Sequence, residues 1–286
     1  MRKVSVAATQ MACSWNLKDN LDKAEMLVRK AAKQGAQIIL LQELFETPYF
    51  CQRQDFKYLS LSKTEENNDA IKKFKILAKE LKVVLPISFF ERAGNTAFNS
   101  IVVIDADGSI LGKYRKTHIP DGLPYAEKFY FTPGDTGFRV FNTRYGCIGV
   151  GICWDQWFCE AARIMTLMGA EILFYPTAIG SELYLKKDSR VHWQNCISGH
   201  AASNIVPVVV SNRIGTEKDQ TTMTFYGSSF ITDATGIIVK QLDKINEGSI
   251  TYEFDLDAIA KERREWGIFR DRRPEMYNLL LTHGER

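Results

Sequence analysis

An apolar run in the middle of the chain, YGCIGVGICWD from Tyr145 to Asp155, indicates a buried strand that ends on a cysteine. The residues from Cys147 to Ile152 are small or branched, which is typical of a strand covered on both faces. A helical pattern begins near Phe158, so Cys153 falls at the carboxyl end of the strand, where α/β proteins bind ligands. Cys153 is therefore a candidate nucleophile, although most cysteines in such places only fill space.

Length and composition fit a globular α/β protein. The chain has 286 residues, of which 45% are hydrophobic and 25% are charged, enough for one large domain or two small ones. Its 37 basic and 34 acidic residues are interspersed and leave a net charge of +3, which gives no support for nucleic acid as a partner. No stretch approaches the ~18 apolar residues of a membrane span, and no signal-peptide core follows Met1. We expect a cytoplasmic protein without a membrane partner.

The sequence gives no pattern for a metal or a nucleotide cofactor. The six cysteines are scattered and form no Cys-x-x-Cys pair, and there are only four histidines. The glycines at 146, 149 and 151 lie inside the strand and lack the order of a dinucleotide-binding loop. We therefore expect no metal and no cofactor, and thiols that stay reduced.

Strand and helix patterns alternate along almost the whole chain. Strands are predicted at 4–10, 38–41, 83–89, 147–152, 172–175, 206–210 and 249–254, and helices at 21–31, 69–81, 160–168, 188–203 and 257–265. Hairpins are predicted at 100–114 and at 225–240, each around an Asp-x-x-Gly turn. The two halves are similar, and no Pro/Gly/Ser-rich linker separates them. The pattern predicts a single α/β domain over 1–286, with a C-terminal arm from about residue 266.

Two charged residues also stand at the ends of predicted strands. Glu43 follows the strand at 38–41, and Lys116 follows the second strand of the first hairpin. Each has an ordinary explanation as a solvated or surface charge. A carboxylate, an ammonium and the Cys153 thiol at strand ends would nevertheless fit one crevice, as base, cation and nucleophile.

Three segments in this order resemble the signature segments of the nitrilase (carbon–nitrogen hydrolase) superfamily: LLQELF around Glu43, YRKTHIP around Lys116 and GICWD around Cys153. The resemblance runs from about Val4 to Asp255. It implies a four-layer α-β-β-α sandwich and at least a homodimer. It also implies that Cys153 is the nucleophile, Glu43 the base and Lys116 the cation of the oxyanion site, and that Glu127, like the family's second glutamate, supports substrate and Lys116.

Further segments resemble the branch of this superfamily that acts on N-carbamoylputrescine. They lie at 125–135, 176–182, 192–194 and 199–204, and Cys159 is one local departure where we expect proline. The resemblance implies hydrolysis of a cationic ureido substrate, through a cysteine thioester, to putrescine, carbon dioxide and ammonia. Other nitrilase-type amidases, such as a β-ureidopropionase or an ω-amidase, and a catalytically silent binding or assembly module are the alternatives.

A cationic substrate tail needs an anionic partner, because an unpaired ammonium is costly to bury. Glu182 follows the strand at 172–175 and is our candidate for the distal ammonium, although glutamates are usually solvated. Asp155 is a second candidate that could instead cap the following helix. Trp154 and Tyr130 could line the methylene chain, or could belong to the core.

Overall fold

The structure is a computed structural model and describes residues 1–181 and 188–284. The described strands are β1 (Lys3–Gln10), β2 (Ile38–Leu40), β3 (Leu85–Ala93), β4 (Thr96–Ile104), β5 (Ile110–Arg115), β6 (Val140–Thr143), β7 (Gly146–Val150), β8 (Ile172–Pro176), β9 (Val208–Ser211), β10 (Ile214–Lys218), β11 (Thr222–Tyr226), β12 (Phe230–Thr232), β13 (Ile238–Gln241) and β14 (Gly248–Asp255). The described α-helices are α1 (Leu17–Lys33), α2 (Asp69–Leu81), α3 (Cys159–Leu167), α4 (Arg190–Asn204) and α5 (Leu256–Trp266).

The strands form two broad layers and a separate hairpin. The first layer consists of the sheets β14-β1-β2 and β3-β4-β5. A bridge between Ile38 and Val84 joins them, and there the Ile39 N–H donates to the Val84 carbonyl at 3.0 Å. The second layer is the six-stranded sheet β13-β12-β9-β8-β7-β6. Strands β10 and β11 pair only with each other among the described strands.

Alternating side chains hold the two layers face to face. Val6 and Ile101 of the first layer pack in one core with Ile148 and Phe174 of the second. The next residue along a strand points the other way, because side chains alternate across a sheet. Leu173, beside Phe174, thus packs towards α3 and α4.

The outer face of the first layer is covered in the same way. Ile39 and Val102 pack against Leu27 of α1 and Phe74 of α2. The order of layers is therefore α-β-β-α, and the expected four-layer sandwich is confirmed.

The hairpin predicted at 225–240 is partly wrong. Its second half is present, because β12 pairs with β13. Its first strand, however, is interrupted at Gly227 and Ser228, whose φ angles of 55° and 54° cannot continue a strand. Phe225 instead belongs to β11, which pairs with β10, and neither β10 nor β6 was expected from the sequence.

The hairpin β10–β11 packs across the chain that follows β8. The Ser181 N–H donates to the Thr224 carbonyl at 2.8 Å, and the Tyr226 N–H donates to the Ile179 carbonyl at 3.2 Å. Gly180 permits this approach, because a Cβ atom there would lie 2.4 Å from the Thr224 carbonyl oxygen. None of the described helices is long and apolar enough to cross a membrane.

Candidate active site

A buried cluster of charged side chains lies where the ends of β2, β5 and β7 meet. The Lys116 ammonium donates to Glu43 Oε1 at 2.9 Å and to Glu127 Oε2 at 2.7 Å. All three side chains are fully buried. The charges of Glu43, Lys116 and Glu127 all act on the thiol of Cys153. The structure therefore brings together the four side chains that the sequence proposes as catalytic.

The two layers contribute different parts of this cluster. Glu43 and Lys116 follow β2 and β5 of the first layer, and Cys153 follows β7 of the second. Glu127 lies on a short 3-10 turn, Glu127–Phe129, in the connection between β5 and β6. The distance between Glu43 and Cys153 therefore depends on how the layers pack against each other.

Glu43 has one oxygen held in place and one that is available. Its Oε1 accepts hydrogen bonds from Lys116 and from the Asn99 side-chain amide, the latter at 2.6 Å. Its Oε2 is buried and has no hydrogen-bond partner among the described residues. A buried carboxylate oxygen without a donor is costly and uncommon. Such an oxygen is suited to accept a proton from a substrate-side group or from the thiol.

Lys116 is held as a cation by its two carboxylate neighbours. Burial alone would lower the pKa of its ammonium, but the charges of Glu127 and Glu43 outweigh burial and raise that pKa well above its usual value. Burial raises the pKa of Glu127, and Lys116 opposes that rise. The Tyr49 hydroxyl also donates to Glu127 Oε1 at 2.5 Å. Lys116 therefore offers a fixed positive charge in a site away from solvent, where charge acts strongly.

Cys153 begins a tight 3-10 turn, Cys153–Trp157. Its φ angle is 42°, a left-handed conformation that costs a residue with a side chain about 1–3 kcal/mol. Burial, together with the charge of Glu43, raises the pKa of the thiol well above its usual value, although Lys116 and a hydrogen bond from the Ala178 backbone oppose this. At neutral pH this raised pKa keeps the proton on the sulfur, so the thiol would need a base in order to act as a nucleophile.

A model of the family described as carbon–nitrogen hydrolase matches residues 5–264 of the chain. The chain belongs to this carbon–nitrogen hydrolase family. A protein of Oryza sativa subsp. japonica named N-carbamoylputrescine amidase is 57% identical over 286 residues, which cover 98% of this chain and 95% of the relative. A Francisella tularensis protein named citrullinase is 52% identical over 98% of this chain and 99% of its own length. The crystal structure of a carbon–nitrogen hydrolase from Helicobacter pylori G27 superposes with a TM-score of 0.93 at 39% identity, covering 99% of this chain and all of that one.

The comparisons confirm the resemblance read from the sequence. The chain is a hydrolase of the amidase type, and the substrate of such an enzyme is a small molecule. Within the described ranges, no group of three or more histidine, cysteine, aspartate or glutamate side chains is arranged to hold a metal ion.

The side chain of Asp155 is held by hydrogen bonds within the protein. Its Oδ2 accepts hydrogen bonds from the Ile152 N–H at 2.9 Å and the Tyr114 hydroxyl at 2.8 Å. Its Oδ1 accepts from the His118 N–H at 3.0 Å and lies 2.8 Å from His118 Nδ1. Both oxygens are used inside the protein, which favours a role in holding the Cys153 turn, and the expected contact with substrate stays a prediction.

Tyr130 packs in the core, the second of its two expected places, and its contact with the methylene chain stays a prediction. Its hydroxyl donates to the Arg53 carbonyl at 2.5 Å and accepts from the Asp55 N–H at 2.9 Å. Its ring packs edge-on against Phe50 in a buried aromatic cluster. Trp154 is half-buried beside Cys153, with its ring centroid 6.2 Å from that of Trp157. Glu182 lies outside the described residues.

Several residues that support the site were not found from the sequence. Asn99 donates to Glu43, Tyr49 donates to Glu127, and Arg213 holds the backbone of Glu43. Asn99 gives a usable signal, because a polar residue inside an apolar strand needs a buried partner. Tyr49 and Arg213 give no such signal, because the local sequence pattern does not show that they contact Glu127 and Glu43, which are far away in the chain.

Proposed function

We propose that this carbon–nitrogen hydrolase converts N-carbamoylputrescine to putrescine, carbon dioxide and ammonia, a step of polyamine biosynthesis. The chemistry rests on one observation, the unpartnered Glu43 oxygen in a buried cluster with Lys116 and the thiol of Cys153. The choice of substrate rests on relatives that are named N-carbamoylputrescine amidase and are 54–57% identical over 98% of this chain.

The first half-reaction releases ammonia. The Cys153 sulfur attacks the ureido carbon while Glu43 accepts the thiol proton, so the raised pKa of the thiol is overcome only as the new bond forms. The carbonyl oxygen becomes negative, and Lys116 with the backbone N–H of Trp154 stabilises it. The carbon–nitrogen bond then breaks, and Glu43 returns the proton to the departing nitrogen. Loss of one such stabilising donor costs about 10² to 10³ in rate.

The second half-reaction uses water. The intermediate is a thioester-type thiocarbamate that joins the Cys153 sulfur to the carbonyl carbon. Glu43 takes a proton from water, the hydroxide adds to that carbon, and the carbon–sulfur bond breaks. The thiol regains its proton from Glu43. The released carbamate decomposes to carbon dioxide and the free amine, which completes the cycle with Glu43 as both base and acid.

Citrulline is a second candidate substrate, favoured by the citrullinase from Francisella tularensis that is 52% identical to this chain. Citrulline carries the same ureido group and a distal ammonium at the same chain length, but it has a carboxylate on the carbon that bears the ammonium. The two substrates therefore demand the same chemistry and differ only at the tail. A pocket that pairs the ammonium with a glutamate repels this carboxylate.

Ammonia release from a panel of substrates tests the proposal. We expect turnover of N-carbamoylputrescine, with kcat/KM about 100-fold above that for citrulline because of charge repulsion at the tail. N-carbamoyl-β-alanine and glutamine should not be hydrolysed, and Cys153→Ala serves as the blank. Turnover of a carboxylate-bearing substrate in preference would keep the chemistry and overturn the proposed specificity.

Glu182 remains our proposed partner for the distal ammonium, from its position in the sequence. Glu182→Ala should raise KM steeply for N-carbamoylputrescine and much less for a neutral analogue of equal length, because only the first carries a charge to be paired. Equal effects on both substrates would remove Glu182 from the pocket.

We also propose a homodimer or larger assembly in the cytoplasm. Exposed apolar side chains on the C-terminal arm, Trp266, Met276 and Leu279 to Leu281, give it a surface suited to contact with another chain. All six cysteines are free thiols, which suits a reducing compartment.

A further inference from the structure

Arg213 is a fully buried arginine directly behind the proposed catalytic base. Its Nη2 donates to the backbone carbonyl of Glu43 at 3.1 Å and to that of Leu44 at 2.8 Å. Its Nη1 donates to the carbonyl of Thr47 at 2.9 Å. One guanidinium group therefore binds three carbonyls of the short segment that carries Glu43.

This segment has an unfavourable backbone conformation at the residue after the base. Leu44 has a φ angle of 48°, in the left-handed region that branched and bulky residues avoid. The Leu44 N–H donates to the Ser88 hydroxyl at 3.0 Å, and its carbonyl accepts from Arg213. The peptide groups on both sides of Leu44 are thus fixed, and with them the direction of the Glu43 side chain.

Glu217 connects Arg213 to Tyr49, which binds the second carboxylate of the site, Glu127. Its Oε1 accepts from Arg213 Nη1 at 2.8 Å, and its Oε2 accepts from the Tyr49 N–H at 2.6 Å. The Tyr49 hydroxyl in turn donates to Glu127. A continuous chain of hydrogen bonds therefore joins Glu43, Arg213, Glu217, Tyr49 and Glu127.

Stability alone does not account for this buried ion pair. Desolvation of two charges offsets their attraction, and apolar replacements of buried pairs are often neutral or stabilising. Among the described residues, the Nε of this guanidinium has no hydrogen-bond partner, and its central carbon lies 5.4 Å from the Phe225 ring centroid. What the pair supplies is directional hydrogen bonds to particular backbone groups, which apolar side chains cannot make.

We infer that Arg213 and Glu217 are positioning residues that fix Glu43 and Glu127 on either side of Lys116. Arg213 holds the backbone of the base, and Glu217 holds Tyr49 against Glu127. The inference rests on the proposed function for the role of Glu43 as base, but not for the identity of the substrate. The hairpin β10–β11, which begins beside Arg213 and contains Glu217, thereby becomes part of the catalytic support.

Arg213→Lys and Glu217→Gln test this role. Lysine keeps the positive charge of Arg213 but lacks the planar guanidinium that binds several carbonyls at once. Glutamine replaces one accepting carboxylate oxygen of Glu217 by a donating amide. We expect kcat for N-carbamoylputrescine to fall about 10²-fold in Arg213→Lys, because a displacement of about 1 Å in a catalytic group has this effect. KM should stay within about threefold, since substrate contacts are unchanged. Glu217→Gln should lose about tenfold for the same reason.

A second readout does not depend on the substrate. The rate of alkylation of Cys153 by iodoacetamide, followed by mass spectrometry against Cys153→Ala, reports whether Glu43 can take the thiol proton. Arg213→Lys should alkylate more slowly and approach the rate and pH dependence of Glu43→Gln. If wild-type enzyme fails to hydrolyse N-carbamoylputrescine, the proposed substrate falls, while the alkylation rates still decide the role of Arg213.

The control variant removes a hydrogen bond of the same hairpin that is not part of the chain through Arg213, Glu217 and Tyr49. Thr221→Val removes the hydrogen bond of 2.9 Å from the Thr221 hydroxyl to Gln52 and should leave kcat and alkylation unchanged. Wild-type alkylation at every pH in folded Arg213→Lys would overturn the inference. If that variant does not fold, Glu217→Gln decides the question, since wild-type kcat and alkylation in it would equally refute the role.

Discussion

In the mechanism that we propose, the Cys153 thiol keeps its proton until substrate binds, and Glu43 accepts that proton only during attack. The pKa of Cys153 is raised by burial and by the charge of Glu43, so the thiol carries its proton at rest. Many cysteine nucleophiles instead rest as thiolates with lowered pKa values. Here reactivity depends on proton transfer to the free Glu43 oxygen during attack, and a thiol of this kind is protected from adventitious oxidation.

The pH dependence of Cys153 alkylation follows from this arrangement. Because its pKa is raised, the thiol form persists through pH 9, above the ordinary cysteine value of about 8.5. In Glu43→Gln the rate should fall about 10²-fold at pH 7, since general-base help is lost. It should then climb steadily through pH 9 without levelling, because only the small thiolate fraction reacts. Because this variant lacks the Glu43 charge, a plateau near pH 8.5 would show that burial, the larger cause, does not by itself raise the pKa of the Cys153 thiol.

At the scale of the element, the turn after β7 depends on one aspartate. Hydrogen bonds of Asp155 join the Cys153 turn to Tyr114 of β5 and to His118. They therefore fix the position of Cys153 relative to the segment that carries Lys116. The His118 ring in turn stacks on Phe158 with ring centroids 3.6 Å apart. The turn thus has a fixed relation to the strand end that carries the cation.

Asp155→Asn should disturb this relation without affecting substrate contacts. An amide presents a donor where the carboxylate accepted one, which leaves a buried N–H unpaired at a cost of about 1–3 kcal/mol. We expect kcat to fall about tenfold with KM little changed, and the melting temperature to fall. Asp243→Asn, at an exposed turn that also accepts backbone N–H bonds, is the control. A raised KM with unchanged kcat would mean that Asp155 does bind substrate.

The site residues at the ends of strands could be predicted from the sequence, whereas the residues that hold them in place could not. Glu43 and Cys153 each follow a strand whose apolar pattern is strong, Lys116 follows the second strand of a hairpin marked by its Asp-x-x-Gly turn, and the three family-like segments could be recognised in order. The hairpin β10–β11 was missed because its strands carry polar residues on one face and are joined without a glycine turn. Tyr49 reaches Glu127 only through tertiary packing, which no local pattern records.

At the scale of the whole molecule, catalysis depends on the contact between two sheets. Periodicity alone predicted a mixed α/β protein, and the resemblance to a family was needed to predict four layers. The reason is physical, since the same alternating strand fits many arrangements of layers. What the layers determine is the separation between Glu43 and Cys153.

A pair of core substitutions separates packing between the sheets from packing under the helices. Ile172 of β8 lies in the core between the sheets, and Leu77 of α2 lies in the helix-covered core of the first layer. Truncation of either to alanine should cost about 2–5 kcal/mol of unfolding free energy. At temperatures where both variants are folded, only Ile172→Ala should lose kcat. Equal losses would show that activity follows global stability and not the spacing of the layers.

The last strand of the chain completes the first layer. β14 pairs antiparallel with β1 along its whole length, from Lys3 opposite Asp255 to Gln10 opposite Gly248. During synthesis on the ribosome, β1 therefore emerges long before its partner and waits with an open hydrogen-bonding edge, which is a surface prone to wrong pairing. This open edge of β1 persists until β14 has been made, so a chaperone that shields the first residues would help until translation is nearly finished.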